Sequence, residues 1–376
     1  GVCLAIDIIP EKGGQCSFSC RFPLKSRFLK NLDTKKQVVF DTTVKNREER
    51  LMKEIGGYLE LEHFKNGEYH AKALRLNSVR NAIALIMQER GYHKLWIPHY
   101  LCCSVRKMLE RHQFEYDYYS IDDRFLPILE NKFSGKEAVL IVNFFGQLDN
   151  ERLAGLIDRY QNVIIDNTHA FFQKPLTAAD TVYTCRKYFG VPDGAYAYIP
   201  GGCAKYAELR TDQSYTRTEH ILGRFENTAA EFYNKFSEND HLLEQIPILK
   251  MSKLTQNLLN AIDYERIQQR RKKNFEILDA NLSNINLMQV FNYGGCYMYP
   301  FLLKSGHRIK QELIQQKIYV PTLWPNVLEE TTPDTWEYFL TDSLVLLPID
   351  QRYSETDMKY ILKVLTQILG GEANAY

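Results

Sequence analysis

Ala138-Val139-Leu140-Ile141-Val142-Asn143-Phe144-Phe145 is a nearly unbroken apolar run. A strand with one wet face alternates apolar and polar residues. A run without alternation suits a strand covered on both faces, as in a parallel sheet. Shorter runs of this kind follow at 163–165 and 181–184, and strand-like segments precede at 94–97 and 114–119. Between them the period changes. Residues 78–90 carry apolar side chains at Ala82, Ile83, Leu85, Ile86 and Met87, with Ser78 at the start and Gly91 just beyond, the pattern of a capped helix. Residues 104–112 and 151–160 also read as helices. Strands alternating with helices predict an α/β domain with a mostly parallel sheet.

Residues 205–275 are mainly helical by period, and 254–278 is the clearest long helical stretch. Strands at 297–303 and 344–347 and helices at 309–316 and 355–369 then predict a smaller C-terminal α+β domain. Residues 1–50 read as an N-terminal extension leading into a helix near 45–55, stopped by Gly56-Gly57. The expected division is therefore an extension over 1–50, a large domain over 51–275 and a small one over 276–376.

The 376 residues suffice for two or three domains with a sizeable core. Apolar residues at 45% and charged residues at 25% exclude a disordered or collagen-like chain. Lys plus Arg is 47 against 46 for Asp plus Glu, so bulk charge points to neither polymeric nucleic acid nor an anionic membrane. No apolar run approaches the roughly 20 residues of a membrane span. The eight cysteines are irregularly spaced, and Cys16 with Cys20 lacks a second pair to complete a zinc site, so no metal and free thiols are expected. Residues 1–10 carry Asp7 and no basic segment, unlike a signal peptide, so a cytoplasmic location is expected.

In parallel sheets, functional groups gather at the carboxyl ends of strands. After 74–76 comes Asn77-Ser78-Val79-Arg80, opening a helix. Ser78 is an N-cap by its position, and the amides behind it offer a phosphate site. After 163–165 comes Asp166, with His169 three residues on; the carboxylate suits either a cationic partner or a helix cap. After 181–183 comes Thr184, with Lys187 three residues later in a turn marked by Pro192 and Gly194. A phosphate site, a carboxylate and a lysine in that chain order suit pyridoxal 5'-phosphate. Its phosphate needs a helix start, its ring nitrogen an acid, and its aldehyde an amine.

These segments resemble the DegT/DnrJ/EryC1/StrS sugar aminotransferases, within the fold-type I pyridoxal-phosphate enzymes. The resemblance spans roughly 52–370. It is carried by residues 54–58, 76–82, 97–102 and 143–147, by Asp166 with His169, and above all by the lysine segment 186–194. Arg270-Arg271 with Asn274, and residues 346–350, add C-terminal landmarks. The resemblance implies that Lys187 binds the cofactor covalently and that Asp166 holds the pyridine nitrogen. It places Thr184, Ser78, Val79 and Arg80 at the phosphate, and His169 and Asn143 near the ring. Val79 and Ala195 stand where many relatives have glycine. No residue stands out as the aromatic that often covers the ring, for which Tyr100 is the one candidate in 100–103.

The resemblance further implies transfer of an amino group, from glutamate, to a keto group on a nucleotide-linked sugar bound for surface polysaccharide or a related glycan. It implies a homodimer, and the charge-rich helical segment 205–275 is expected to reach across it, through Tyr215 or Arg217, to the partner's site. Two other readings stay open on sequence alone: a pyridoxal-phosphate enzyme with a non-sugar substrate, and a non-catalytic binding protein that keeps the fold.

Overall fold

The computed structural model describes residues 55–130, 133 and 135–372. The extension over 1–50, with Cys3, Cys16 and Cys20, lies outside the described residues, as does the helix expected near 45–55 except for Ile55. The chain divides into two units, Gly1–Glu60 and Leu61–Tyr376. The architecture that follows is that of the second.

Eight strands form one sheet: β1 (Leu74–Leu76), β2 (Lys94–Pro98), β3 (Glu115–Ile121), β4 (Pro127–Ile128), β5 (Glu137–Val142), β6 (Val163–Asp166), β7 (Asp180–Thr184) and β8 (Ala195–Tyr198). Their order is β1-β8-β7-β6-β5-β2-β3-β4. The five strands from β7 to β3 in that order are mutually parallel. β8 is antiparallel to both β7 and β1, so β1 points the same way as the parallel five. β4 adds an antiparallel edge. The parallel α/β reading of the apolar runs therefore holds, and every residue of β6 and β7 is buried.

The run that begins at Ala138 does not stay in the sheet to Phe145. β5 ends at Val142, and Phe144–Gly146 forms a single 3₁₀ turn. Phe145 there has φ +55° and Gly146 φ +72°, both left-handed. The Asn143 side chain closes this turn: its oxygen accepts from the Leu148 amide at 2.8 Å and its nitrogen donates to the Leu148 carbonyl at 3.0 Å.

The helix Val79–Arg90 starts as expected. The Ser78 hydroxyl accepts from the Asn81 amide at 3.3 Å, and Gly91 ends the helix at φ +67°. Its buried residues 81–87 pack on β7 and β8. At its far end Arg90 grips Asp180 at the start of β7 through two hydrogen bonds of 2.9 and 2.7 Å.

The long helical stretch expected over 254–278 is two helices, Lys253–Leu259 and Tyr264–Leu282. The break has a local cause. Ser252 caps the first by accepting from the Thr255 amide, and Asp263 restarts the second by accepting from the Arg266 amide, each at 3.1 Å. The second helix runs through the domain boundary expected at 275.

Beyond it, β9 (Tyr299–Leu302) and β10 (Leu344–Leu347) pair antiparallel, with Val345 opposite Phe301. The helices Tyr264–Leu282, Gly306–Gln315 and Glu355–Glu372 accompany them. Together they enclose a core including Phe275, Leu278, Phe301, Leu313, Val345 and Leu365, distinct from the core of the large sheet. Among the described residues no helix is long and apolar enough to cross a membrane, no acidic, His or Cys group of three or more is placed to hold a metal, and Cys102, Cys103, Cys185, Cys203 and Cys296 are free thiols.

Candidate functional site

Strand direction decides where the site lies. β1, β6 and β7 point the same way, so Asn77-Ser78, Asp166 and Thr184 all emerge at one edge of the sheet. β7 lies beside β6, and residues 185–194 link β7 to β8. Within that link the Tyr188 and Phe189 amides donate to the Cys185 carbonyl at 3.0 and 2.9 Å, forming the tight turn that carries Lys187.

Lys187 Nζ lies 2.7 Å from His169 Nε2. The other ring nitrogen, Nδ1, accepts from the Phe145 amide at 3.3 Å. The His169 ring is stacked with Phe145 (centroids 5.2 Å apart) and with Tyr297 (4.8 Å), and Trp324 lies parallel at 5.9 Å. Lys187 Nζ also sits 5.2 Å from the Tyr297 ring centre. Burial is the largest influence on the Lys187 amine and lowers its pKa to about 8, against the pull of Asp166, which raises it. Burial likewise holds His169 well below its usual range.

Asp166 is buried at the end of β6 and accepts from the Thr168 amide at 2.9 Å. Burial raises its carboxyl pKa, while hydrogen bonding from Thr168 and the Lys187 charge lower it; the net direction is upward. Thr184 is buried as the last residue of β7.

Ser78 caps the helix Val79–Arg90, and Val79 and Arg80 form its first turn. The first amides of a helix have no acceptor within it; here the Asn81 amide is taken by Ser78, leaving those of Val79 and Arg80. The Ser78 hydroxyl accepts from Asn81 and still has its own proton to donate. The Arg80 guanidinium lies 3.8 Å from Glu244, and Arg186 lies 2.6 Å from Asp240, one helical turn earlier on Tyr233–Gln245.

Other expected residues are engaged elsewhere. Tyr100 is fully buried, with its ring against Trp324 at 4.5 Å and Phe144 at 5.3 Å. The Asn143 amide nitrogen serves Leu148, Asn167 and Gln173 within the loops. Arg217 is buried in an ion pair with Asp212 of its own chain at 2.7 Å, whereas Tyr215 is 70% exposed. Tyr297 and Trp324 went unnoticed in the sequence. Both arrive from loops of the C-terminal region, and the sole local signal is the prolines around Trp324, Pro321 and Pro325.

No protein-family model matches the chain, and no curated protein matches its sequence. Solved structures do match, and the fold they share with this chain is that of sugar aminotransferases, the fold-type I architecture implied by the family resemblance. A DegT/DnrJ/EryC1/StrS aminotransferase from Brucella abortus is 13% identical and covers 79% of this chain and 85% of its own, with a TM-score of 0.53. A sugar aminotransferase from Micromonospora echinospora is 13% identical over 81% of this chain and 93% of its own, with a TM-score of 0.55. NtdA from Bacillus subtilis, crystallised with bound cofactor PMP, is 12% identical over 82% of this chain and 78% of its own, with a TM-score of 0.58.

Proposed function

We propose that the protein is a pyridoxal-phosphate-dependent aminotransferase that moves an amino group, from glutamate, to a keto group of a nucleotide-linked sugar. The observation that carries this reading is the half-buried Lys187 amine, 2.7 Å from His169 and under the influence of the Asp166 carboxylate, in the turn after β7. The donor set suits the cofactor: an amine for its aldehyde, a buried acid for its ring nitrogen, and, for its phosphate, a helix start capped by Ser78 with the Val79 and Arg80 amides, together with the Thr184 hydroxyl at the same edge of the sheet.

Pyridoxal phosphate, when bound, supplies the electron sink that lets an amino group leave one carbon and join another. The chain's own groups do the rest. Lys187 would hold the cofactor through its aldehyde, and its free amine would take up or deliver a proton on Nζ at the reacting carbon of whichever substrate is bound. Its lowered pKa keeps a usable share of the amine neutral near pH 7. Asp166 holds a proton on the ring nitrogen. Ser78, Thr184 and the amides of Val79 and Arg80 orient the phosphate, and His169 orients Lys187. Asn143 and Tyr100 support the surrounding loops.

The fold likeness to sugar aminotransferases supports the sugar acceptor. A homodimer in the cytoplasm completes the proposal, and the exposed Tyr215, Leu222, Phe225 and Tyr233 support a subunit interface over that helical region. The deciding experiment is reduction with borohydride. Purified protein incubated with pyridoxal phosphate should turn yellow, and reduction should leave the cofactor on a peptide containing Lys187. Assays with glutamate and a panel of keto-sugar nucleotides then identify the acceptor. Protein that neither colours nor retains cofactor is a binding protein with an enzyme's fold.

A further inference from the structure

The hydrogen bonds around His169 have a direction. Nδ1 faces the Phe145 amide, which can only donate, so Nδ1 must offer its lone pair. A neutral imidazole then carries its proton on Nε2, the atom 2.7 Å from Lys187 Nζ. An ammonium has no lone pair and cannot accept from it; a neutral amine can. The backbone is arranged for this contact. Phe145 is a non-glycine residue at φ +55°, ψ +15°, a conformation that L-residues rarely adopt and that recurs at functional sites. That conformation turns the Phe145 amide onto His169, while the Phe145 and Tyr297 rings stack with the imidazole and keep it in place.

We infer that Phe145 and His169 are positioning residues that present an Nε2–H donor to Lys187 and so select its neutral amine, the form able to take up an aldehyde. This deepens the proposed function and rests on it only for the identity of the aldehyde. The other groups influencing the amine are accounted for. Asp166 at the end of β6, Cys102 at the start of the helix Cys103–Arg111 and Asp240 on Tyr233–Gln245 favour its charged form, and Arg186 beside it opposes that form. The Tyr297 ring face, 5.2 Å away, also favours the cation. Burial, Arg186 and the His169 donor are what set the amine against these.

The test titrates Lys187 in the cofactor-free protein by labelling with trace acetic anhydride. Incorporation is followed on the peptide containing Lys187, and the midpoint rather than the amplitude is read. Wild type should show a midpoint well below the 10.5 of an ordinary lysine. In His169→Leu the donor is gone, and the midpoint should rise by about one pH unit, the size of one hydrogen bond. In His169→Gln a side-chain N–H is restored at the same reach, and the midpoint should return to within about half a unit of wild type. If His169 instead offered a lone pair to an ammonium, His169→Leu would lower the midpoint, and that result overturns the inference. A rise in His169→Gln as large as in His169→Leu overturns it too. Borohydride capture of pyridoxal phosphate by wild-type protein is scored separately, so loss of the functional reading is not mistaken for loss of this one.

Discussion

The Gly194 amide donates to the Asn77 carbonyl at 2.9 Å, tying the loop that carries Lys187 to the residue just before Ser78. The amine and the proposed phosphate site are thereby held in register by one backbone hydrogen bond, with a second from the Cys185 amide to the Gly194 carbonyl at 3.0 Å. Gly194 sits at φ +118°, and a Cβ there would meet Thr255 Cγ2 at 3.0 Å and Cys185 Sγ at 3.2 Å. Gly194→Ala should therefore destabilise the fold by about 1–3 kcal/mol and loosen the loop. Urea unfolding checks the first effect, and weaker pyridoxal-phosphate binding checks the second.

The lowered pKa of Lys187 sets the pH at which cofactor is captured. Only the neutral amine attacks an aldehyde, so the rate of capture should climb as pH rises and level off above about 8, rather than near 10.5 as for an ordinary lysine. Stopped-flow absorbance on cofactor-free protein reads this directly. Lys187→Ala should show no capture while remaining folded.

Asp166 should matter to the chemical step more than to occupancy. A charge-assisted hydrogen bond from Asp166 to a ring nitrogen would be worth about 1.5–3 kcal/mol, but an unprotonated ring is a much poorer electron sink. Asp166→Asn should lower turnover far more than it lowers the amount of bound cofactor. Burial already raises the carboxyl's pKa, so the same change should not reduce the stability of the cofactor-free protein. Turnover equal to wild type would mean that the carboxylate serves only its local turn.

His70 predicts an acid-sensitive fold. Its ring is buried, with Nε2 2.7 Å from the Phe171 carbonyl and Nδ1 3.1 Å from the Tyr198 hydroxyl, and burial lowers its pKa to about 4 from 6.5. Between those values the unfolded chain binds the proton and the folded chain does not. The stability this group contributes is complete above 6.5 and is lost as pH falls toward 4. About 2 kcal/mol should be gone at pH 5 relative to pH 7.5. Urea unfolding at the two pH values measures it, and His70→Gln should remove that share of the difference.

The sequence by itself determined the class of fold and which polar residues stand at the ends of its parallel strands. Burial on both faces shows as unbroken apolar runs, so β5, β6 and β7 were legible from 138–145, 163–165 and 181–184. Caps are equally local, which is why the helix from Val79 to Arg90 was readable from Ser78 and Gly91. Because functional groups follow strand ends, Ser78, Asp166, Thr184 and Lys187 could be singled out together. Only the tertiary structure decided the strand order, the reversed β8 and the exit of the chain from the sheet after Val142. It alone brought Tyr297 and Trp324 to the ring of His169 and turned Tyr100 toward Trp324. The reason is range. An element's type is written in the period and caps of its own residues, whereas contacts between side chains over a hundred positions apart depend on how the finished elements pack.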